Sequence, residues 1–237
     1  LSSRPHKKEI KKVKHHLYGV ISVKKYFSAG DWLKRAKKKI HQCHQNTKIP
    51  IIVGGTGLYF NTITKGISKI PNIDIKTRNK VRNLFKKLGY KKFYEKLSNI
   101  DPKVKNRILP SDSQRAQRAY EVILKTKKSL FDWTANTKSD FINFEIKKIF
   151  IDIPREELLK KISERTESMF KNNCIEEVKK FNLLKLNKSL SSNKLIGVQE
   201  INAYLKGSIT LNQCKELTNI KTRQYAKRQN TWARGHM

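Results

Sequence analysis

An uninterrupted apolar run, Ile49-Pro50-Ile51-Ile52-Val53, closes directly on Gly54-Gly55-Thr56-Gly57-Leu58-Tyr59. A half-exposed strand alternates apolar and polar residues, so a short continuous run entered through proline and ended by Gly-Gly reads as a strand buried on both faces, central in a parallel sheet. Gly54 and Gly55 admit a tight turn with positive φ, and they remove Cβ atoms that would hold a ligand away from the backbone. Thr56 stands where a helix can begin, its hydroxyl beside unpaired amide hydrogens that suit an anionic or polar ligand. An ordinary strand-to-helix turn can carry the same residues, so the motif needs its context.

That context is mostly helical. Residues 1–23 are basic and weakly patterned, with an apolar stretch at 17–23 that reads as strand or loop. Ser28-Ala29-Gly30-Asp31 resembles a capping box, and Leu33, Ala36, Ile40 and Cys43 follow at helical spacing, giving a helix over about 31–45. After Tyr59 a short helix runs toward Gly66, and Pro71 marks a boundary. Residues 75–130 read as helix throughout, divided by turns at Gly89 and Asp101-Pro102. One apolar stripe is Val81, Leu84, Phe85 and Leu88; a second is Ala116, Tyr120, Ile123 and Leu124, with Ser111-x-x-Gln114 as its cap. Residues 147–153 return to strand character and stop at Pro154, and a helix over 155–172 buries Leu158, Leu159, Ile162, Met169 and Phe170. A polar loop at 187–193 precedes helices at 194–205, capped by Gly207, and 211–234, opened by Thr210-x-x-Gln213. The expected architecture is an α/β core, residues 1–68 and 134–237, with a helical insertion domain at 69–133.

The 53 Lys and Arg against 19 Asp and Glu give a formal charge of +34, which favours a polyanionic partner, although abundant Lys, Asn and Ile also fit an A/T-rich genome. At 27.7 kDa, 37% hydrophobic residues and a mean hydropathy of −0.67, the chain can bury a substantial core. Cys43, Cys174 and Cys214 are isolated, without Cys-x-x-Cys spacing or a disulfide framework, which fits a reducing cytosol. No apolar run approaches the ~18 residues of a membrane span, and no signal-peptide pattern opens the chain. The expectation is a cytoplasmic monomer. His15 with His16, and His41 with His44, have no Cys or acidic partners at zinc spacing and read as surface residues, so no metal ligands are assigned.

Five stretches agree in order and spacing with one family. Val53-Gly54-Gly55-Thr56-Gly57-Leu58-Tyr59 resembles the signature of the tRNA dimethylallyltransferases, preceded by Tyr26-Phe27-Ser28-Ala29-Gly30-Asp31-Trp32 and followed by Asp101-Pro102 to Arg107-Ile108 with Asp112-Ser113-Gln114-Arg115-Ala116-Gln117-Arg118. Residues 165–177 and Thr222-Arg223-Gln224-Tyr225-Ala226-Lys227-Arg228-Gln229-Asn230-Thr231-Trp232-Ala233-Arg234 complete the match. A nucleotide kinase of the phosphate-loop kind would share the fold but would leave the 114–118 and 222–234 matches unexplained.

The resemblance implies a phosphate-loop NTPase-like parallel sheet. It also implies transfer of a dimethylallyl group from dimethylallyl diphosphate to the exocyclic amine of the adenosine 3′ of the anticodon, with Mg2+ as cofactor. Thr56 would position the extruded adenine, and Arg165 would face the diphosphate end of the donor; by spacing alone Arg165 flanks the buried stripe and equally suits a salt bridge to Asp152 or a nearby Glu. Thr56 and Arg165 are thus the catalytic-site residues. Contact with the tRNA anticodon stem-loop is implied for Thr56, Arg78, Gln114, Arg115, Ala116, Gln117, Arg118, Lys194, Gly197, Lys227, Arg228, Gln229 and Arg234. A solvated basic face is the alternative for the cations. The sequence departs from the family at Val198-Gln199, where an aromatic and basic pair is expected, and at Ala233, where a larger apolar residue is expected; both substitutions are expected to weaken RNA binding locally.

The glycine-rich phosphate loop ending in Lys and Ser or Thr, and the Asp general base on the next strand, do not occur in the sequence. The match begins after both motifs, at Arg4-Pro5 where the family reads Lys-Pro, so the chain resembles an N-terminally truncated member with the first strand, the phosphate cradle and the magnesium ligand of that loop missing. Two readings stay open: an enzyme of this family that is inactive alone, and a noncatalytic RNA-binding remnant of one.

Overall fold

A computed structural model describes residues 4–5, 7–187 and 190–237; positions 188 and 189 of the expected polar loop lie outside them. The described residues form α1 (Lys7–Lys12), α2 (Ala29–Gln45), α3 (Gly57–Thr64), α4 (Ile75–Ile100), α5 (Ser113–Thr126), α6 (Leu130–Ala135), α7 (Arg155–Lys171), α8 (Cys174–Leu183), α9 (Val198–Leu205) and α10 (Leu211–Arg234), with short 3-10 turns at Pro102–Val104 and Ser191–Lys194. The chain divides into two compact units, residues 1–60 with 146–237, and residues 61–145.

In the unit of residues 1–60 and 146–237, α10 packs on α7 and α9. Thr210 opens α10: its hydroxyl accepts from the Gln213 amide, and the Gln213 side chain accepts from the Thr210 amide. Cys174, Val178, Val198, Ile201 and Cys214 form a buried cluster between α8, α9 and α10. Lys215 bridges α10 to Glu167 of α7 at 2.7 Å, and Lys221 pairs with the buried Glu200 of α9. Ser28 caps α2 by the reciprocal box its spacing suggests, at 3.1 Å and 3.0 Å.

Residues 61–145 are helical. Gly89, at φ 69° and ψ 175°, breaks α4, a conformation glycine adopts without steric cost. In a straight helix, residues eight apart are separated by about 12 Å along the axis. The break instead brings the Phe85 and Phe93 rings to 5.2 Å, edge to face, with Tyr120 of α5 on the other ring contact at 5.2 Å. Phe93, Leu97, Val81 and Val104 are fully buried in this core, each large side chain contributing roughly 1.5–3 kcal/mol of transfer free energy. The cap of α5 is Asp112, which accepts from the Arg115 amide at 3.1 Å, and not Ser111. Asp112 has a carboxylate where the chain leaves the turn, and Ser111 lies one residue too early to reach the third amide.

The sheet is where sequence and structure part. No strand pairs form among the described residues, and residues 49–53 and 147–153 carry no regular secondary structure. Ile51 is 82% exposed and Ile151 79%, so the run at 49–53 is not buried on both faces. A strand receives its hydrogen bonds and its buried faces from neighbouring strands; neither segment has one here. The apolar stretch at 17–23, read as strand or loop, is a loop, with Leu17 at φ 65°.

Candidate functional site

Tyr225, Gln229, Trp232 and His236 fall at i, i+4, i+7 and i+11, one face of α10 and its extension. That face lies against the Gly54–Gly57 turn. A Cβ on Gly57 would fall inside the Trp232 indole, and one on Gly55 would overlap the Gln229 carboxamide, whereas one on Gly54 would reach only Phe60 Cζ at an ordinary 4.0 Å. Phe60 stacks on Trp232 at 6.0 Å, and the His236 imidazole lies parallel to the indole at 4.7 Å. Lys148 of the extended 147–153 segment donates to the His236 carbonyl at 2.9 Å, and Arg234 pairs with Asp152 at 3.5 Å. The space over Gly55 and Gly57 is therefore taken by protein side chains, and neither Gly54 nor Gly55 has positive φ. Close approach of α10, and not a left-handed turn, is what these positions require of glycine.

Thr56 stands between the two crowded glycines and is itself exposed. Its Oγ1 lies 3.4 Å from the Tyr225 hydroxyl, longer than the usual O–H···O contact. Arg228 sits over the Tyr225 ring at 5.7 Å, close enough for a cation–π attraction. Tyr59 stacks on Trp32 of α2, centroids 4.6 Å apart and nearly parallel. Burial, with Tyr225 as a smaller contribution, pushes the Tyr59 phenol above its ordinary pKa, so it stays neutral. Two hydroxyls beside two aromatic rings, on a rigid turn, suit a planar base with polar edges.

The other expected residues are placed as follows. Arg165 is exposed on α7, one position before the buried Thr166; Asp152, its suggested acid, is engaged by Arg234. Lys227 and Arg228 are exposed on α10, next to the half-buried Gln229. Lys194 is exposed at the end of a 3-10 turn, and Gly197, at φ 101°, donates its amide to Glu200 at 2.8 Å. Of the departures, Val198 and Ala233 are buried, whereas Gln199 is exposed. Within residues 61–145, Arg78 is half-buried in α4 with its Nε buried and unpaired. Gln114 and Arg115 are exposed at the start of α5, Arg115 pairing with Asp112 at 3.3 Å and Arg118 with Glu121 at 3.3 Å. Gln117 donates to the Ser113 carbonyl, and Ala116 is 1% exposed in the core, which leaves its side chain no surface for RNA.

Sequence reasoning missed Trp32, Tyr225 and Glu200 as site-shaping residues. The signals were present: the seven-residue spacing of Tyr225 and Trp232, and Gly197-x-x-Glu200 at capping-box spacing.

For the implied magnesium, no three of His, Cys, Asp or Glu come together among the described residues. Magnesium is commonly held by one or two carboxylates with substrate phosphates, and no step is assigned to it. Cys174 and Cys214 are buried free thiols, and burial pushes Cys214 up to about 11. Among the described residues, no helix is long and apolar enough to cross a membrane.

The chain matches the family model described as IPP transferase over residues 1–236. It is similar to the tRNA dimethylallyltransferase of Pelagibacter ubique (strain HTCC1062), 52% identical over 237 residues, covering 100% of this chain and 76% of the relative. It is also similar to the tRNA dimethylallyltransferase of Wolbachia sp. subsp. Drosophila simulans (strain wRi), 40% identical over 234 residues, covering 98% of this chain and 78% of the relative. Among solved structures it resembles the full-length tRNA isopentenylpyrophosphate transferase of Bacillus halodurans, with TM-score 0.64 and 28% identity, covering 98% of this chain and 72% of that one.

Proposed function

This chain belongs to the IPP transferase family, and from that premise we propose that it serves tRNA modification, the transfer of a dimethylallyl group from dimethylallyl diphosphate to the exocyclic amine of the adenosine 3′ of the anticodon. The observation that carries the reading is the meeting of the Gly54–Gly57 turn with the face of α10. Two stretches that the family resemblance picked out separately meet, with an exposed threonine hydroxyl 3.4 Å from the Tyr225 hydroxyl and Arg228 over the Tyr225 ring.

In the transfer, N6 of the adenosine forms a bond to C1 of the prenyl group as the C1–O bond breaks, the electron pair leaves with diphosphate, and N6 gives up a proton to water. Thr56 positions the base by a hydrogen bond to its edge. Arg165 offers a planar fork to the departing diphosphate, where charge develops. Arg78, Gln114, Arg115, Arg118, Lys194, Lys227, Arg228 and Arg234 are the candidates for contacts to the RNA backbone and loop; Gly197 and Gln117 support the backbone that carries them. Magnesium, a cytoplasmic setting, a monomeric state and a phosphate-loop-like parallel sheet belong to the same reading. So does an insertion domain at 69–133 that grips the anticodon arm.

The test is filter binding of a labelled anticodon stem-loop carrying adenosine at that position, against an unrelated hairpin of equal length, at moderate salt. A preference of tenfold or more, on the order expected of specific over charge-driven contacts, supports the reading. Equal affinity for both RNAs, which charge alone would give at +34, contradicts it.

A further inference from the structure

The Tyr225 hydroxyl has no structural duty that its position explains. Tyr225 is 39% exposed and Thr56 is exposed as well, so water would satisfy both hydroxyls if they were apart. Their 3.4 Å separation is too long for a strong mutual bond, so little stability rests on it. The ring itself is nonetheless covered: Arg228, three residues on, lies over one face at 5.7 Å. The turn beneath is equally fixed, because Gln229 and Trp232 fill the space over Gly55 and Gly57. Two immobilised groups thus aim two accessible hydroxyls at one point.

From this juxtaposition we infer that Tyr225 is a specificity residue, its hydroxyl acting with that of Thr56 as a pair that engages the 6-amino edge of the target base. One hydroxyl oxygen accepts from the exocyclic N–H, and the other hydroxyl donates to the adjacent ring nitrogen N1. Each hydroxyl carries one donor and two acceptor positions and can rotate, so the pair is satisfied by a donor standing next to an acceptor. A purine without the amine leaves one of them unmatched and desolvated, which is where discrimination arises. The assignment rests on the dimethylallyl-transfer reading, which places an adenine at Thr56.

The test crosses the protein hydroxyl with the base amine. Dissociation constants are measured for the full chain and for Y225F, with three stem-loops that differ only at the target position: adenosine, purine riboside lacking the 6-amino group, and an abasic site. Phenylalanine keeps the ring, its stacking and the Arg228 contact, and thermal melting checks that the fold is unchanged. The inference expects the adenosine-over-purine preference of the unaltered chain to fall roughly three- to tenfold in Y225F, the size of one neutral hydrogen bond, with affinity for the abasic RNA unaltered. T56V is expected to lower the same preference, and the double variant to lose less than the product of the two. An unchanged preference in Y225F, or an equal loss on all three RNAs, overturns the assignment while leaving the transfer reading intact. If the unaltered chain binds the adenosine stem-loop no better than an unrelated hairpin, the transfer reading itself fails and takes this assignment with it.

Discussion

The Gly54–Gly57 turn and the first turn of α5 both carry residues singled out by motif, yet they are held in place by different physics. At the glycine turn, Gln229 and Trp232 occupy volumes that any side chain on Gly55 or Gly57 would need; position there is set by packing. At α5, Arg115 and Arg118 are held by acids one turn away on their own helix, Asp112 and Glu121, at 3.3 Å each. The exposed Arg115–Asp112 pair contributes little, about 0.3–0.5 kcal/mol, whereas Arg118 pairs with a carboxylate that is buried. The first site is preorganised by packing, whereas at the second Arg115 is tied only by an exposed pair and its side chain can follow an RNA backbone.

The largest effect that would break this comparison is at Gly57. Gly57→Ala would drive a methyl group into the Trp232 indole, which also stacks with Phe60 and His236. Overpacking of this kind costs on the order of 1–3 kcal/mol. The expected outcome is a clear fall in melting temperature together with loss of stem-loop selectivity; unchanged melting would show that packing does not set the turn. Next, Arg115→Ala is expected to leave melting unchanged, weaken all RNAs alike, and reduce the salt slope of log K by about 1. A loss confined to the adenosine stem-loop would instead make α5 a reader of the base. Gly55→Ala sharpens the contrast within the first region: the overlapping Gln229 group is the end of a flexible side chain, so the expected cost is under about 1 kcal/mol, relieved by adding Gln229→Ala.

The smallest effect is chemical. Burial raises the Cys174 and Cys214 thiols, Cys214 to about 11 from 9.0, whereas Cys43 is only half-buried. The thiolate is the reactive form, so at pH 8 a thiol reagent should label Cys43 roughly tenfold or more faster than the other two. The sign for stability follows from the same shift. A thiol whose folded pKa is raised holds its proton longer in the folded state, so its contribution is complete below pH 9 and falls as pH rises toward 11. Prompt labelling of all three thiols would mean the α8, α9 and α10 cluster opens readily.

Local rules were legible in the sequence. The Ser28 box on α2, the Thr210 box on α10 and the apolar stripes of α4 and α5 all depend on residues within one or two turns, and each formed as its spacing suggests. Two motifs of the site were readable by resemblance, but their meeting was not, because Thr56 and Tyr225 lie 169 residues apart and no periodicity encodes that contact. The strand at 49–53 failed for the same reason in reverse. Its apolar run was read as a buried strand, but burial depends on partners elsewhere, and Ile49, Ile51 and Val53 remain exposed. At α5 the error was one residue, Ser111 for Asp112, which is the scale on which caps are ambiguous from sequence.

The most direct measurement is transfer of labelled dimethylallyl from its diphosphate to the anticodon stem-loop, by the chain alone and by the chain joined to a glycine-rich phosphate-binding segment from a relative. The account predicts label on N6 of the adenosine 3′ of the anticodon in the joined protein, with Gly57→Ala abolishing it. A joined protein that is folded and binds the stem-loop selectively, yet leaves that adenosine unlabelled, would contradict it.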